Sequence, residues 1–210
     1  MTLTGRYVRL EPLAAAAHTD GLYRVSAGVD APQRFRWLAD DPPVNGEDMR
    51  RWIAAREALV DPLFSAVVDA TTQEVLGRQA LMRVVPEHGV AELGNILWGA
   101  AMARSRRATE AFFLVARHVF DELGYRRFEW KCNNDNEPSK QAAVRFGFQF
   151  EGLFRQHMWV KGRNRDTAWF AILDRDWPRL RSGFEAWLEP RNFDGAGLQR
   201  RRLAEFRAGA

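Results

Sequence analysis

Two hydrophobic periodicities alternate along the 210-residue chain. Short segments rich in Val, Leu, Ile and Phe, in which apolar positions alternate with polar ones or run on continuously, predict β-strands. Longer segments with apolar residues every three to four positions predict amphipathic helices. The predicted strands are residues 7–13, 64–69, 75–85, 90–98, 127–132, 148–161 and 167–174, and the predicted helices are residues 14–27, 47–59, 105–123, 138–146 and 177–188.

The order of these elements indicates a mixed sheet. The strands between residues 64 and 98 are joined by short turns, which predicts an antiparallel meander. The strand–helix–strand from residue 90 to residue 132 needs a crossover connection instead, which is typical of parallel pairing and is right-handed. We therefore predict one α/β (α+β) domain over residues 1–175, with six to seven strands flanked by helices. A C-terminal helical extension over residues 176–210 would pack on the domain or on a partner subunit.

One junction in this pattern carries an unusual charge. The strand ending at Trp98 leads to the sequence Arg104-Ser-Arg-Arg107 at the start of a predicted helix, with Ser105 as a candidate N-cap. A helix N-terminus already carries a partial positive charge, so arginines there repel it unless an anion binds nearby. The free N–H groups of such an end form a ready phosphate site. The junction is either a phosphate-binding loop or a basic loop whose arginines point into water.

Composition narrows the class of protein. A hydrophobic content of 46% and an aromatic content of 12% fit a packed globular chain. The net charge of +4 suits an anionic cofactor or substrate, and it is a weak sign of nucleic-acid binding because charges of both signs alternate. The single cysteine, Cys132, excludes an internal disulfide, and the histidines lack metal-ligand spacing. Because no apolar run suits a membrane span or a signal peptide, we expect a cytoplasmic protein.

Motifs further along the chain favour the phosphate-binding loop. They are Ala108-Thr-Glu-Ala111, Phe120-Asp-Glu-Leu-Gly-Tyr-Arg-Arg127, and Asn136-x-x-Ser139 followed by Arg145-Phe-Gly-Phe148. In this combination, from about residue 7 to residue 174, the chain resembles the GNAT acyltransferases, specifically the branch of ribosomal-protein N-terminal acetyltransferases. The resemblance implies the GNAT fold. It also implies transfer of an acetyl group from acetyl-CoA to a primary amine, either a protein N-terminus or a small molecule, by direct attack in a ternary complex.

The resemblance also implies a set of site residues. Acetyl-CoA would lie in the opening between the strands at 90–98 and 127–132, with backbone of the first strand pairing with the pantetheine arm. The loop at 104–108 would take the pyrophosphate, and the backbone N–H of Leu97 would stabilise the oxyanion. No metal is implied. The implied acetyl-CoA contacts are Ile96, Leu97, Trp98, Met102, Arg104, Ser105, Arg106, Arg107, Ala108, Thr109, Asn136 and Ser139.

Glu92 is the first candidate for the base that takes a proton from the amine. By the period of two in a strand it shares a face with Ile96 and Trp98, and a carboxylate among apolar neighbours is a better base. The alternative is an ion pair with an arginine across the sheet, and Glu129 is a weaker candidate for the base. Ser139 is the best-placed proton donor to the leaving thiolate, unless it only bonds backbone in the first turn of its helix.

Two positions depart from the family pattern. Aligned on Ala108, the family's phosphate loop has a glycine where this chain has Arg106, and many relatives have a catalytic tyrosine where this chain has Ala143. These departures leave open a weakly active or inactive CoA-binding module that acts through partners. The basic run at 200–202 raises nucleic-acid binding as a third function, although we expect no specific nucleic-acid or membrane partner.

The acceptor amine is not specified by any motif. The elements expected to select it are residues 35–38, the helix at 47–59 and the strand at 148–161. Asn136 would either reach the amides of the cofactor or cap its helix. The chain is compatible with a monomer or a homodimer.

Overall fold

The computed structural model describes residues 2–207, and within that range eight strands form one sheet. Their order in the sheet is β1-β2-β3-β4-β5-β6-β8-β7. The predicted mixed α/β fold is confirmed, and the additional strand is β1, whose two residues are too few to produce a sequence pattern. The strands are β1 (Leu3–Thr4), β2 (Val8–Pro12), β3 (Leu63–Asp69), β4 (Val75–Val85), β5 (Val90–Trp98), β6 (Arg127–Asn133), β7 (Gln149–Val160) and β8 (Arg163–Leu173).

The described part of the chain also forms seven α-helices. Two of them, α2 and α7, are short and lie where the sequence pattern predicts irregular structure. Helix α4 continues into a π-helical turn over His118–Glu122, so the predicted helix at 105–123 is present in two geometries. The helices are α1 (Ala15–Ser26), α2 (Ala31–Arg34), α3 (Gly46–Ala54), α4 (Arg106–Arg117), α5 (Glu137–Phe146), α6 (Trp177–Leu188) and α7 (Leu203–Arg207).

The strand register decides which polar side chains become neighbours. Strands β5 and β6 are parallel, as the crossover predicts, and Glu92 is directly opposite Glu129. Strands β7 and β8 form an antiparallel hairpin whose turn is at Lys161 and Gly162. Both turn residues have positive φ, 50° and 71°, which matches the twist of a two-residue hairpin loop.

The chain divides into two compact units. The first comprises the chain up to Arg83 together with Leu93–Ala111, and the second comprises Val84–Glu92 together with the chain from Phe112 onward. The core of the first unit is a cluster of buried apolar side chains from α1, α3, β3, β4 and the segment before α1. They are Leu13, Leu22, Met49, Ile53, Phe64, Ala66, Val68 and Ala80.

Aromatic rings form much of the core of the second unit. Phe112 stacks on Phe146 with ring centroids 4.3 Å apart, and it packs against Phe184 of α6 at 5.4 Å. Trp177, at the start of α6, stacks on Phe120 at 5.1 Å. Such pairs add about 0.5–1.5 kcal/mol each beyond the burial of their area. Helix α6, the first helix of the C-terminal extension, is therefore part of the core of the second unit.

Candidate active site

The start of α4 has the local structure of a capped helix. The Oγ of Ser105 accepts a hydrogen bond from the N–H of Ala108 at 3.4 Å, so Ser105 is the N-cap, as predicted. The same hydroxyl donates to the carbonyl of the buried Met102 at 2.9 Å, which fixes the turn before the helix. The hydroxyl of Thr109 donates to the carbonyl of Ser105 at 3.4 Å. The N–H groups of the first turn point out of the helix end, where no intrahelical carbonyl can reach them.

The three arginines at this helix start have different surroundings. The Nε of Arg107 donates to Oδ2 of Asp69 at 2.5 Å, and the guanidinium of Arg106 lies 4.3 Å from the ring centroid of Tyr7. Arg104 is exposed and its φ is 54°, a left-handed conformation that non-glycine residues seldom adopt. Within residues 2–207 its guanidinium makes no ion pair or hydrogen bond. The structure thus gives two of the three side chains partners inside the protein.

Asp69 is a buried carboxylate at the end of β3 that compensates part of this positive charge. It accepts hydrogen bonds from the N–H groups of Thr71 and Thr72 at 2.8 and 3.0 Å, as well as from Arg107. Burial by itself would raise the pKa of Asp69, but these donors and the charge of Arg107 outweigh it, and the pKa lies below its usual value. Asp69 is therefore ionised at neutral pH.

A second buried carboxylate ties α4 to the N-terminal segment. Glu110 accepts hydrogen bonds from the N–H groups of Arg6, Tyr7 and Val8 at 2.9, 2.6 and 2.8 Å. A Cβ on Gly5 would lie 2.4 Å from the carboxyl carbon of Glu110, so only glycine permits this approach. Burial raises the pKa of Glu110 although all three donors lower it. The helix start is thus held at both Asp69 and Glu110.

The end of β5 approaches β4 closely. A Cβ on Gly77 would lie 2.4 Å from the carbonyl oxygen of Leu97, so glycine is required for this contact. The indole N–H of Trp98 donates to Oε1 of Gln79 at 3.1 Å. The side chain of Leu97 is buried and that of Ile96 is half-buried. Leu97 can therefore contact a ligand only through its backbone.

One residue in the middle of β5 interrupts the regular strand. Asn95 has a φ of 51°. The regular alternation that would place Glu92, Ile96 and Trp98 on one face is therefore interrupted between Glu92 and Ile96. A left-handed non-glycine residue within a strand is typical of an irregularity next to a functional site.

Glu92 belongs to a network of buried charges in the second unit. The Nζ of Lys131 lies 2.9 Å from Oε2 of Glu92 and 2.7 Å from Oε2 of Glu129. It also lies 3.9 Å from the ring centroid of Trp169. Lys131, on the neighbouring strand, is therefore a partner of Glu92, where the sequence suggests an arginine across the sheet. Burial would raise the pKa of Glu129, but hydrogen bonds from Lys131 and Arg127 hold it below its usual value.

The start of α5 carries the other candidate residues. The Oδ1 of Asn136 accepts from the N–H of Ser139 at 3.3 Å, so Asn136 caps this helix. The Oγ of Ser139 accepts from the indole N–H of Trp130 at 3.0 Å, which leaves the hydroxyl proton available to another acceptor. Burial raises the pKa of Cys132 although a hydrogen bond with Ser139 lowers it. Cys132 is thus a neutral thiol with little nucleophilic character.

The structure distributes the candidates between the two units. Residues 96–109 lie together in the first unit, whereas Glu92, Asn136 and Ser139 lie in the second. Sequence reasoning missed the partners Asp69, Glu110 and Lys131. A lysine two residues after Glu129 on one strand is a weak signal, and only the register with β5 turns it into a charge network.

Residues 2–207 contain neither a candidate metal centre nor a candidate membrane span. No group of three or more His, Cys, Asp or Glu side chains in that range could hold a metal ion. None of the helices there is both long and apolar enough to cross a bilayer.

Comparison with known proteins decides the family. The model of the family described as "Acetyltransferase (GNAT) domain" matches residues 8–149, which is more than half of the chain. The chain is a member of the GNAT acetyltransferases. Members of this family use acetyl-CoA as the acetyl donor, and the capped, arginine-rich start of α4 suits its phosphates in charge.

Solved GNAT structures resemble the whole chain. A GCN5-related N-acetyltransferase from Brucella melitensis is 54% identical, with a TM-score of 0.97 over 99% of this chain and 94% of its own. An acetyltransferase from Salmonella typhimurium that modifies the N-terminal serine of a protein of the 50S ribosomal subunit has a TM-score of 0.71 over 82% of this chain and 99% of its own. Its identity is 17%, so that similarity shows the fold alone.

Curated GNAT relatives are matched over part of their length. The uncharacterized N-acetyltransferase p20 of Bacillus licheniformis is 33% identical over 118 residues, which are 54% of this chain and 63% of that protein. The chain therefore spans less than two thirds of this relative.

Proposed function

We propose that the protein transfers an acetyl group from acetyl-CoA to a primary amine by direct attack in a ternary complex. The observation that carries this proposal is the start of α4. Its first turn contains no acidic residue, carries Arg106 and Arg107, and follows the exposed Arg104. Such an end stabilises an anion through its N–H groups, its dipole and its side chains together.

In this proposal the residues of the first unit bind the cofactor. The N–H groups of the first turn of α4, which includes Ala108, and the guanidinium of Arg104 hold the pyrophosphate. Backbone of Ile96 and Trp98 pairs with the amides of the pantetheine arm, as a neighbouring strand would. The N–H of Leu97 donates to the oxygen of the thioester carbonyl as negative charge develops there. Arg106 and Arg107 add positive charge while their side chains hold Tyr7 and Asp69.

Residues of the second unit handle protons in this proposal. Glu92 takes the proton of the amine, directly or through water, and Lys131 keeps its carboxylate in place. Ser139 donates a proton to the departing thiolate from a hydroxyl that Trp130 orients. Asn136 supports this end of α5 as its N-cap.

We further propose that the acceptor is a protein N-terminus or a small amine. The ribosomal-protein branch is supported by motifs shared with it and by a fold shared with the Salmonella enzyme. In this account residues 1–175 form the acetyltransferase domain, and residues 176–210 form an extension whose helix α6 packs on its own chain. The protein works in the cytoplasm as a monomer or homodimer, without a metal.

A second function is a CoA-binding module with little or no catalysis. Ala143 supports it, because this position is fully buried and carries no hydroxyl where many relatives have a tyrosine. The internal partners of Arg106 and Arg107 support it as well, since they reduce the charge free to meet a ligand.

One experiment separates the two functions. Calorimetric titration with acetyl-CoA measures binding, and release of free thiol in the presence of a panel of primary amines measures transfer. The proposed enzyme binds acetyl-CoA and releases thiol in proportion to amine. Binding without amine-dependent release identifies the module, and an absence of binding overturns both functions.

A further inference from the structure

A cavity in the first unit is not used by the proposed chemistry. Its volume is about 210 Å³. Its walls are mainly apolar, among them the side chains of Phe35, Met49 and Trp52, and its polar members include Asp41 and Arg78. Phe35 and α3 are among the elements that the sequence marks for acceptor selection, but the sequence does not show that they share a cavity with β4.

Arg78 is the least expected residue in the lining of this cavity, because it is a buried arginine. It is only 1% exposed, and its guanidinium lies 4.3 Å from the ring centroid of Trp52. Its Nη2 is 3.1 Å from Oδ2 of Asp40, and its Nη1 donates to the carbonyl oxygen of Asn95 at 2.9 Å. Burial lowers the pKa of Arg78 to about 10 against the opposing effect of Asp40, so Arg78 remains charged at neutral pH.

The hydrogen bond to Asn95 links the cavity to the proposed cofactor strand. Asn95 is the left-handed residue of β5, and the next residues, from Ile96 to Trp98, supply the backbone that we assign to acetyl-CoA. One side chain, Arg78, thus contacts both the cavity and this strand. All of these residues belong to the first unit.

The walls define the chemistry of a ligand. A volume of about 210 Å³ holds roughly seven waters at about 30 Å³ each, and it is below the range of about 300 Å³ and more that drug-sized ligands occupy. Aromatic and thioether side chains favour a compact apolar body. The charged residues of the lining are two carboxylates, Asp41 and Asp48, and one guanidinium, Arg78, which pairs with Asp40 at 3.1 Å. A cationic head group therefore fits better than an anionic one.

We propose that this cavity is the acceptor pocket and that it selects a primary amine carried on a compact apolar or aromatic body. The proposal rests on the acetyl transfer proposed above. The same chemistry is present in a free arylalkylamine and in a peptide whose first residue is apolar. Polyamines lack the apolar body. Peptides with an acidic first residue add a negative charge where the cavity favours a positive one.

The test compares four acceptors and three variants. The acceptors are 2-phenylethylamine, a peptide beginning with Phe, spermidine and a peptide beginning with Asp. Met49→Trp fills the cavity, Met49→Phe fills it less, and Leu198→Trp adds the same indole at a residue that does not line the cavity and is 67% exposed. We expect kcat/KM for the better of the first two acceptors to fall about 10-fold or more in the Met49 variants and to be unchanged in Leu198→Trp.

The outcomes are distinguishable. Preference for 2-phenylethylamine over the Phe peptide identifies a small-molecule acceptor, and the reverse identifies a protein N-terminus. Preference for spermidine or the Asp peptide, or unchanged selectivity in folded Met49 variants, overturns the pocket.

Direct titration of 2-phenylethylamine and the Phe peptide into the protein without acetyl-CoA tests the cavity by itself. Binding of either one that Met49→Phe weakens supports the pocket even if acetyl transfer fails, and an absence of binding of both overturns it.

Discussion

The Nζ of Lys131 lies 2.9 Å from Oε2 of Glu92, and both side chains are almost completely buried. Because Lys131 also pairs with Glu129, one ammonium compensates two carboxylates on neighbouring parallel strands. Removing the lysine would take the shared cation away from both carboxylates, while Arg127 would still pair with Glu129. A single change at Lys131 therefore disturbs the charge balance of two strands at once.

Lys131→Met should lower the free energy of unfolding by about 3–5 kcal/mol, because it takes the shared ammonium away from two buried carboxylates. Urea unfolding at pH 7 measures the change. Lys140→Met is the matched control, since Lys140 pairs with the exposed Glu137 and such a surface pair contributes little to stability. Equal losses in the two variants would contradict the network described here.

Glu92→Gln tests the proposed base. If Glu92 accepts the proton of the amine, kcat should fall by about 100-fold or more while the Kd for acetyl-CoA stays the same. Thiol release and titration calorimetry give the two numbers. A folded variant with normal kcat would assign Glu92 a purely structural role.

The depressed pKa of Glu129 predicts a dependence of stability on acid. A carboxyl whose pKa is lower in the folded state stabilises the fold above its unfolded value, near 4.5, and this contribution is lost as the pH falls through the folded pKa. The stability difference between the wild type and Glu129→Gln should therefore be largest near pH 7 and shrink below about pH 4.5. If the stability difference between the wild type and Glu129→Gln instead grew as the pH fell, the lowered pKa of Glu129 in the folded state would be contradicted.

Glu110→Ala should destabilise the first unit by about 3 kcal/mol, because three N–H groups lose their acceptor at once. Thermal unfolding measures the effect. Glu47→Ala, which removes an exposed carboxylate from the first turn of α3, is expected to cost clearly less stability. A loss at Glu110 no larger than that at Glu47 would show that this anchor contributes little.

Arg107 and Arg104 should separate stability from binding. Arg107→Ala removes the partner of the buried Asp69 and should cost about 1 kcal/mol of stability, a value reduced by the partial exposure of Arg107. Arg104→Ala should change stability by less than about 0.5 kcal/mol, since Arg104 is exposed and its guanidinium bonds nothing in the described chain. Chemical unfolding measures the stability lost in each variant. A larger loss of stability in Arg104→Ala than in Arg107→Ala would contradict this prediction.

The fold was accessible from sequence because most of its elements are long and periodic. Val75–Val85, Val90–Trp98 and Trp177–Leu188 have the predicted bounds. The strand Leu3–Thr4 and the helix Ala31–Arg34 were not predicted, because two to four residues do not establish a periodicity.

The site was less accessible because its contacts depend on register and on unusual backbone. The pairing of Glu92 with Lys131 follows from the alignment of β5 with β6, which the helical crossover sets and no local pattern encodes. A left-handed residue is usually a glycine, and Asn95 is not one. The sequence therefore carried no sign of the irregularity in β5. Arg78 belongs to no motif, and it is buried because Asp40, Trp52 and Asn95 meet around it.

The central claim is that the start of α4 binds the phosphates of acetyl-CoA, and calorimetric titration of acetyl-CoA into the wild type and Arg104→Ala tests it most directly. We predict that the wild type binds acetyl-CoA and that Arg104→Ala binds it about 10-fold more weakly, because one charge-assisted contact to phosphate is lost. Binding should also weaken as salt is added, and less steeply in the variant. A wild type that takes up no acetyl-CoA, or a variant that binds it as tightly as the wild type does, would contradict the account.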